Sequence, residues 1–328
     1  MKKVIVTGGG GFVGKALCLE LRKLGYQVIS FARGKYPDLE EAGIQTRRCD
    51  ISENLENFKS DFEDAEAIFH TAAYVKMWGD YNNFYKINFL GTKNLVNFAI
   101  KHNISKFIYT SSPSVVADGK NLQGINESYP YPKKFKANYP KTKALAEQYV
   151  LEKNSHSFKT LSLRPHLIWG EGDNNFVPTI IKRAKEGKLV IVGDGKNKVD
   201  FSYIKDCIQA HLCALTALDN NPKSSGKTYF ISQGEPYPLW DWINEVLVRN
   251  DLPKLEKKVS FNLAYSIASV LEFFYKTFSI KSEPRLTRFL VSEMATDHYF
   301  DISRARTLLG YEPKYTIKQA FDDYMKEG

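Results

Sequence analysis

Tyr139 and Lys143 stand four residues apart in Tyr139-Pro140-Lys141-Thr142-Lys143. On a helix that spacing puts both side chains on one face and turns Lys141 away from them. A free phenol titrates near ~10 and is a poor base at neutral pH. A neighbouring ammonium favours the phenolate and lowers that value. The pair is therefore a device for moving a proton on and off an alcohol oxygen, and Lys143 can also hold the ribose beside a nicotinamide. Upstream, Thr110-Ser111-Ser112 follows an apolar run. Ser112 is the expected donor that bonds and polarises a substrate carbonyl, and Ser114 is second in line. Without such a role either serine would make a local turn bond.

A second device opens the chain, Thr7-Gly8-Gly9-Gly10-Gly11-Phe12-Val13-Gly14. Gly8, Gly11 and Gly14 are spaced GxxGxxG between a strand and a helix, the setting in which backbone approaches a dinucleotide pyrophosphate. The helix that begins at Phe12 and Val13 offers its free N–H groups to the phosphate charge. The second strand ends Ser30-Phe31-Ala32-Arg33-Gly34-Lys35. No carboxylate waits there for the adenosine ribose, but Arg33 suits a 2′-phosphate, so NADP(H) is expected over NAD(H). Asp50 and Ile51 close the third strand where an adenine amino group would lie. His70-Thr71-Ala72-Ala73 closes the fourth, and its small residues Thr71, Ala72 and Ala73 let a ligand pass near the backbone.

These residues need a frame. Val4–Val6, Gln27–Ala32, Ile44–Arg48, Ala67–His70, Lys106–Tyr109 and Thr160–Leu163 read as strands. Between them Phe12–Leu24, stopped by Gly25, Tyr81–His102 and Tyr139–Lys153 carry helical periodicity. Repeated β-α units predict an α/β fold, a doubly wound parallel (Rossmann) sheet. After Pro165 the pattern loosens. Residues 1–165 are expected to bind the dinucleotide, and 166–328 to form a smaller C-terminal substrate lobe partly interleaved with the sheet.

Composition narrows the choice. The net charge is +9, from 46 basic and 37 acidic residues spread along the chain rather than blocked. A solvated basic surface is the expected reading, and no nucleic-acid partner is expected. The four cysteines lack CxxC spacing, which argues against a metal site and suits a reducing cytoplasm. No targeting signal or spanning segment is expected. The most apolar helix candidate runs from Phe261 to Tyr275. Its plain reading is a core-facing helix. The alternative is a greasy wall for an alkyl substrate or a peripheral membrane contact.

With these motifs assembled, the chain resembles the extended short-chain dehydrogenase/reductases over nearly its whole length. The likeness rests on the glycine loop, His70–Ala73, Asn88 in Asn88-Phe89-Leu90-Gly91-Thr92, Tyr109–Ser112, Tyr139–Lys143, Leu163-Arg164-Pro165 and Leu309-Gly310-Tyr311-Glu312-Pro313. Within that family it is most similar to the 3β-hydroxysteroid dehydrogenase-like branch, and there to bacterial 2-alkyl-3-oxoalkanoate reductases. Trp78-Gly79-Asp80-Tyr81, Tyr109–Val116 and Leu163–Gly170 carry that resemblance. It implies a catalytic set of Ser112, Tyr139 and Lys143, support of the cofactor region by Asn88, and contact of Pro165 and Leu167 with the nicotinamide end. It further implies NADPH-linked reduction of a 3-oxo group on a small hydrophobic substrate, and a homodimer built on a helix pair. Two rivals share the fold: a nucleotide-sugar epimerase or dehydratase, and a non-catalytic NADP sensor. The first commonly needs an arginine where Val199 stands, and the second tends to lose the Tyr/Lys pair that is kept here.

Overall fold

A computed structural model describes residues 1–280 and 282–327. Seven parallel strands form the main sheet, in the order Lys227–Ile231, Lys159–Pro165, Lys106–Thr110, Ala65–His70, Lys3–Thr7, Gln27–Ala32, Gln45–Arg48. The strands Lys3–Thr7, Gln27–Ala32, Ala65–His70 and Lys106–Thr110 are largely apolar runs without strict alternation, as strands covered on both faces must be, whereas the edge strand Gln45–Arg48 is polar and exposed at both ends. Successive residues divide between the two faces. Val4, Val6, Ala67, Phe69 and Ile108 join the core that holds Leu17 and Leu21 of the Phe12–Lys23 helix and Ile208 of the Ile204–Asn220 helix. Ile5, Ile68, Phe107 and Tyr109 join the opposite core, with Leu95 and Ala99 of the Gly91–Lys101 helix and Ala146 and Val150 of the Asn138–Glu152 helix.

The strand order reverses between Lys3–Thr7 and Ala65–His70, which pair directly, Val6 opposite Phe69 and Thr7 opposite His70. At such a switch point the loops leaving the two strands diverge and leave a crevice beyond their carboxyl ends. The glycine loop leaves one strand, and Thr71–Ala73 leaves the other.

Beyond Pro165 the chain returns to the sheet once, as Lys227–Ile231 beside Lys159–Pro165. Elsewhere it builds small sheets. One joins Lys198–Val199, Tyr237–Pro238, His298–Phe300 and Leu122–Ile125.

Two sequence expectations change. The helix expected over Tyr81–His102 forms through Lys101, but Tyr85–Leu90 within it makes a π turn instead of continuing the α pattern. Asn88 lies inside that turn, and its side chain bonds a neighbouring loop instead of following helical packing. The Phe261–Thr277 helix is only partly core-facing. It buries Ala264, Ala268 and Glu272 and packs Phe261 and Tyr265 against the core, but leaves Leu263, Ile267, Val270, Phe273 and Phe274 exposed. Apolar on nearly every face, it can seat only one of them.

Candidate active site

Gly8 takes φ +76°, a backbone conformation that other residues adopt only under strain. A Cβ there would also stand 2.6 Å from the Ala72 amide nitrogen. Gly11 N–H donates to the Gly8 carbonyl at 2.8 Å, closing the turn. At Gly14 a Cβ would lie 2.2 Å from that carbonyl oxygen, so glycine lets the helix start directly beneath the loop. The result is a cavity of about 420 Å³ lined by Gly8, Gly11, Phe12, Val13 and Gly14, by Arg33, by Asp50 and Ile51, and by Thr71, Ala72 and Ala73. Residues from four strand ends thus converge on one glycine-floored space. Its lining and its helix N-terminus fit a dinucleotide.

Arg33 is exposed at the rim of this cavity. Burial alone would raise the Asp50 carboxyl. Bonds from the Ser52 hydroxyl at 2.7 Å and the Ser52 amide at 2.9 Å, with Lys86 and Arg33 nearby, instead hold it below the usual carboxylate range. Tyr36 went unnoticed in the sequence. Its ring lies against Gly10, where a Cβ would fall 1.9 Å from the ring, and it lines the same cavity. It sits in an irregular loop whose register no periodicity reveals.

The catalytic candidates stand on two elements. Ser112 follows the Lys106–Thr110 strand with extended backbone and caps the short Pro113–Val116 turn, accepting from the Ser114 amide at 3.2 Å. The two hydroxyls lie 3.0 Å apart, so Ser114 is coupled to Ser112. Tyr139 and Lys143 project from the first turns of the Asn138–Glu152 helix. Burial pushes the Tyr139 phenol up to about 12, and its bond with Ser112 acts against that rise. The protein alone therefore holds this phenol protonated at neutral pH, whereas the sequence suggested a lowered value. The reason is geometric. Lys143 is buried, donates to the Thr110 carbonyl at 2.6 Å and sits over the Tyr109 ring at 4.2 Å from its centre. Burial brings its ammonium down to about 7, with Glu147 acting in the opposite direction.

Glu147 extends the ladder one turn further, since Tyr139, Lys143 and Glu147 recur at four-residue spacing. It is fully buried and accepts from Arg164 Nη2 at 2.6 Å, Ser162 Oγ at 2.6 Å and the Tyr131 hydroxyl at 2.7 Å. The sequence reading missed it, although its four-residue spacing from Lys143 was a signal that could have found it. Its partner Arg164 lies on the Lys159–Pro165 strand, which no local spacing connects to this helix.

A buried polar chain ties the strand that leads into the glycine loop to the Asn138–Glu152 helix. The Thr7 hydroxyl lies 2.6 Å from His70 Nδ1, and His70 Nε2 lies 2.8 Å from the Thr92 hydroxyl. Thr92 donates to the Asn88 carbonyl at 2.6 Å. The Asn88 side chain then accepts from the Tyr74 amide at 2.7 Å and donates to Thr142 Oγ1 at 3.1 Å. Asn88 does not line the dinucleotide cavity. It braces the loop after the fourth strand against the helix carrying Tyr139, and the π turn brings it there. Pro165 ends its strand, and Leu167 follows at φ +39°, a strained conformation for a branched side chain. Neither lines the cavity. Ser114 shares a narrow cleft with His166, Glu293, Thr296 and His298.

A dinucleotide cradle at the switch point of a doubly wound sheet, with a phenol, an ammonium and a hydroxyl on adjoining elements, defines an NAD(P)-dependent oxidoreductase acting on a CH–OH group. Residues 5–263 match the 3-beta hydroxysteroid dehydrogenase/isomerase family, and the chain belongs to it. It is 39% identical over 319 residues to a 2-alkyl-3-oxoalkanoate reductase of Stenotrophomonas maltophilia, covering 97% of this chain and 96% of that protein. It is also 33% identical over 329 residues to a 3-beta-hydroxysteroid dehydrogenase of Mycolicibacterium neoaurum, covering 97% and 89%. Among solved structures it shares its fold with a UDP-glucuronic acid 4-epimerase from Bacillus cereus in complex with NAD, at TM-score 0.74 and 23% identity, covering 99% and 98% of the two chains.

Proposed function

We propose that this protein reduces the 3-oxo group of a bulky hydrophobic substrate of the 2-alkyl-3-oxoalkanoate type to a 3-hydroxy group, with NADPH as the preferred reductant. The carrying observation is that Ser112, at the end of the Lys106–Thr110 strand, bonds Tyr139 on the helix that also carries Lys143, beside the Ala65–His70 strand whose end opens into the cavity. A nicotinamide held there by the glycine loop and Thr71–Ala73 would supply the hydride that the carbonyl carbon accepts. Ser112 holds the carbonyl oxygen, and Tyr139, a phenol protonated at neutral pH that burial keeps so, gives that oxygen its proton. Lys143 stabilises the phenolate left behind and holds the ribose. Arg33 at the rim and the lack of a carboxylate at the end of the second strand support NADPH.

The relatives favour a 3-oxoalkanoate over a sterol by identity, and the sterol-type substrate is the second reading. A nucleotide-sugar substrate is disfavoured because Val199 is fully buried in a strand, where it can meet no phosphate. The test is oxidation of NADPH and of NADH with 2-alkyl-3-oxoalkanoates, 3-oxosteroids and UDP-sugars in parallel. Turnover on the first class, lost by a factor of about 10² or more in Tyr139→Phe with NADPH binding retained, is expected. Near wild-type turnover of that variant refutes the assignment. Failure to turn over any of the three classes refutes the catalytic reading in favour of a sensor.

A further inference from the structure

We propose that the Phe261–Thr277 helix docks this protein on an anionic lipid surface, with the mouth of the catalytic cleft turned toward the lipid. Among the described residues, half of the large apolar side chains left exposed lie between Leu263 and Ile280. Leu263, Ile267, Val270, Phe274 and Phe278 follow one another at intervals of three or four and form a single stripe, with Phe273 beside it. Solvent-facing apolar residues scattered singly need no explanation, but a contiguous stripe marks a surface that something covers.

Charge selects the occupant. Residues 254–288 contain seven Lys or Arg against three Glu and no Asp. Glu272 and Arg288 neutralise one another, with Glu272 2.8 Å from Nε and 2.7 Å from Nη2, which leaves six Lys or Arg against two Glu. Lys276, on the helix beside Phe273 and Phe274 in sequence, and Arg285, a few residues beyond its end, are both exposed. Exposed apolar side chains on a helix flanked by excess positive charge match a bilayer interface bearing anionic headgroups. No helix among the described residues is long and apolar enough to cross a membrane, so the contact is peripheral.

The position of the helix gives the contact a purpose. Tyr275 meets Trp78 edge to face at 6.4 Å, and Lys276 Nζ lies 5.8 Å from the Trp78 ring centre. The Met77 amide donates to Glu283 at 3.1 Å, just beyond the helix. The same loop presents the Gly79 carbonyl to Asn138 Nδ2 at 3.0 Å, and Asn138 immediately precedes Tyr139. The greasy helix therefore rests on the loop that borders the catalytic phenol. A substrate dissolved in lipid would reach the cleft without crossing water. This inference does not depend on which hydrophobic substrate is reduced.

The experiment is co-sedimentation of the full chain with vesicles of phosphatidylcholine alone and of phosphatidylcholine mixed with phosphatidylglycerol. Wild type is expected to bind the mixed vesicles at least ten-fold more tightly than the neutral ones, since each basic residue at the surface contributes about five-fold. Phe273→Ser/Phe274→Ser should lose ten-fold or more on the mixed vesicles. Lys276→Glu/Arg285→Glu should lose the preference for phosphatidylglycerol. All these side chains are exposed, so retained NADPH binding confirms that the variants are folded. Absent wild-type binding, or unchanged binding in both variants, overturns the proposal. So does a wild-type dimer that Phe273→Ser/Phe274→Ser converts to monomer without effect on vesicles, because the stripe would then be covered by a second copy.

Discussion

Glu147→Gln probes stability and chemistry at once. The carboxylate is fully buried and takes bonds from Arg164, Ser162 and Tyr131. Burial alone would raise its pKa, but Arg164 and these bonds hold it below the usual range, so it is charged at neutral pH. The amide removes that charge and leaves the Arg164 guanidinium, itself only 2% exposed, without its counter-ion. Breaking a buried pair from one side costs about 3–5 kcal/mol, a fall in Tm on the order of 10 °C for a chain of this size. The second consequence is electrostatic. Glu147 raises the Lys143 ammonium against its burial, which leaves it at about 7. Without Glu147, and with Arg164 unneutralised, Lys143 loses its proton at lower pH. If the ammonium is needed to stabilise the phenolate, the alkaline limb of the pH–rate profile must move to lower pH. Thermal melts and a pH–kcat series on the same preparation give both readouts. Glu147→Gln/Arg164→Met should recover most of the stability. A single variant within ~1 kcal/mol of wild type, or one with an unmoved alkaline limb, refutes the reasoning.

Gly8→Ala should abolish NADPH binding in a fluorescence titration, because its Cβ would meet the Ala72 amide and its φ of +76° is strained for alanine. Arg33→Ser should weaken NADPH by about ten-fold or more and leave NADH nearly unchanged, since only the 2′-phosphate loses a charged partner. Equal losses for both cofactors would remove Arg33 from discrimination. Acid should destabilise the fold early. Burial lowers His70 to about 3 and His211 to about 4, and His166 falls well below its ordinary value. Each stays neutral in the fold while the unfolded chain takes up a proton from about 6.5 downward. Their stabilisation is thus complete above pH 6.5 and is lost toward pH 4, by up to ~1.4 kcal/mol per pH unit for each histidine. Urea titrations across that window should show a steady fall, and a flat profile from pH 6.5 to 5 would contradict it.

Much of the site was legible because its chemistry is local in sequence. The glycine spacing, the Arg33 terminus of the second strand and the Tyr139–Lys143 pair are each set by a few consecutive residues. The strands were legible for a similar reason: a strand buried on both faces must be a short apolar run, whatever lies beside it. The fate of the Phe261–Thr277 helix was not, since an apolar segment reads the same whether its partner is the core or something outside the chain.

Other features were decided only when distant segments met. Tyr36 reached Gly10, Arg164 reached Glu147, and Asn88 reached Tyr74 and Thr142 through a π turn that helical periodicity does not announce. The phenol pushed up to about 12 is also a tertiary result. Residue types and spacings determine which groups can share a face, because helix and strand geometry repeats along the chain. How far those groups are withdrawn from water, and which carbonyl or carboxylate they meet there, depends on segments far away in sequence. Burial and long-range pairing, the terms that set proton affinity, therefore belong to the packed structure alone.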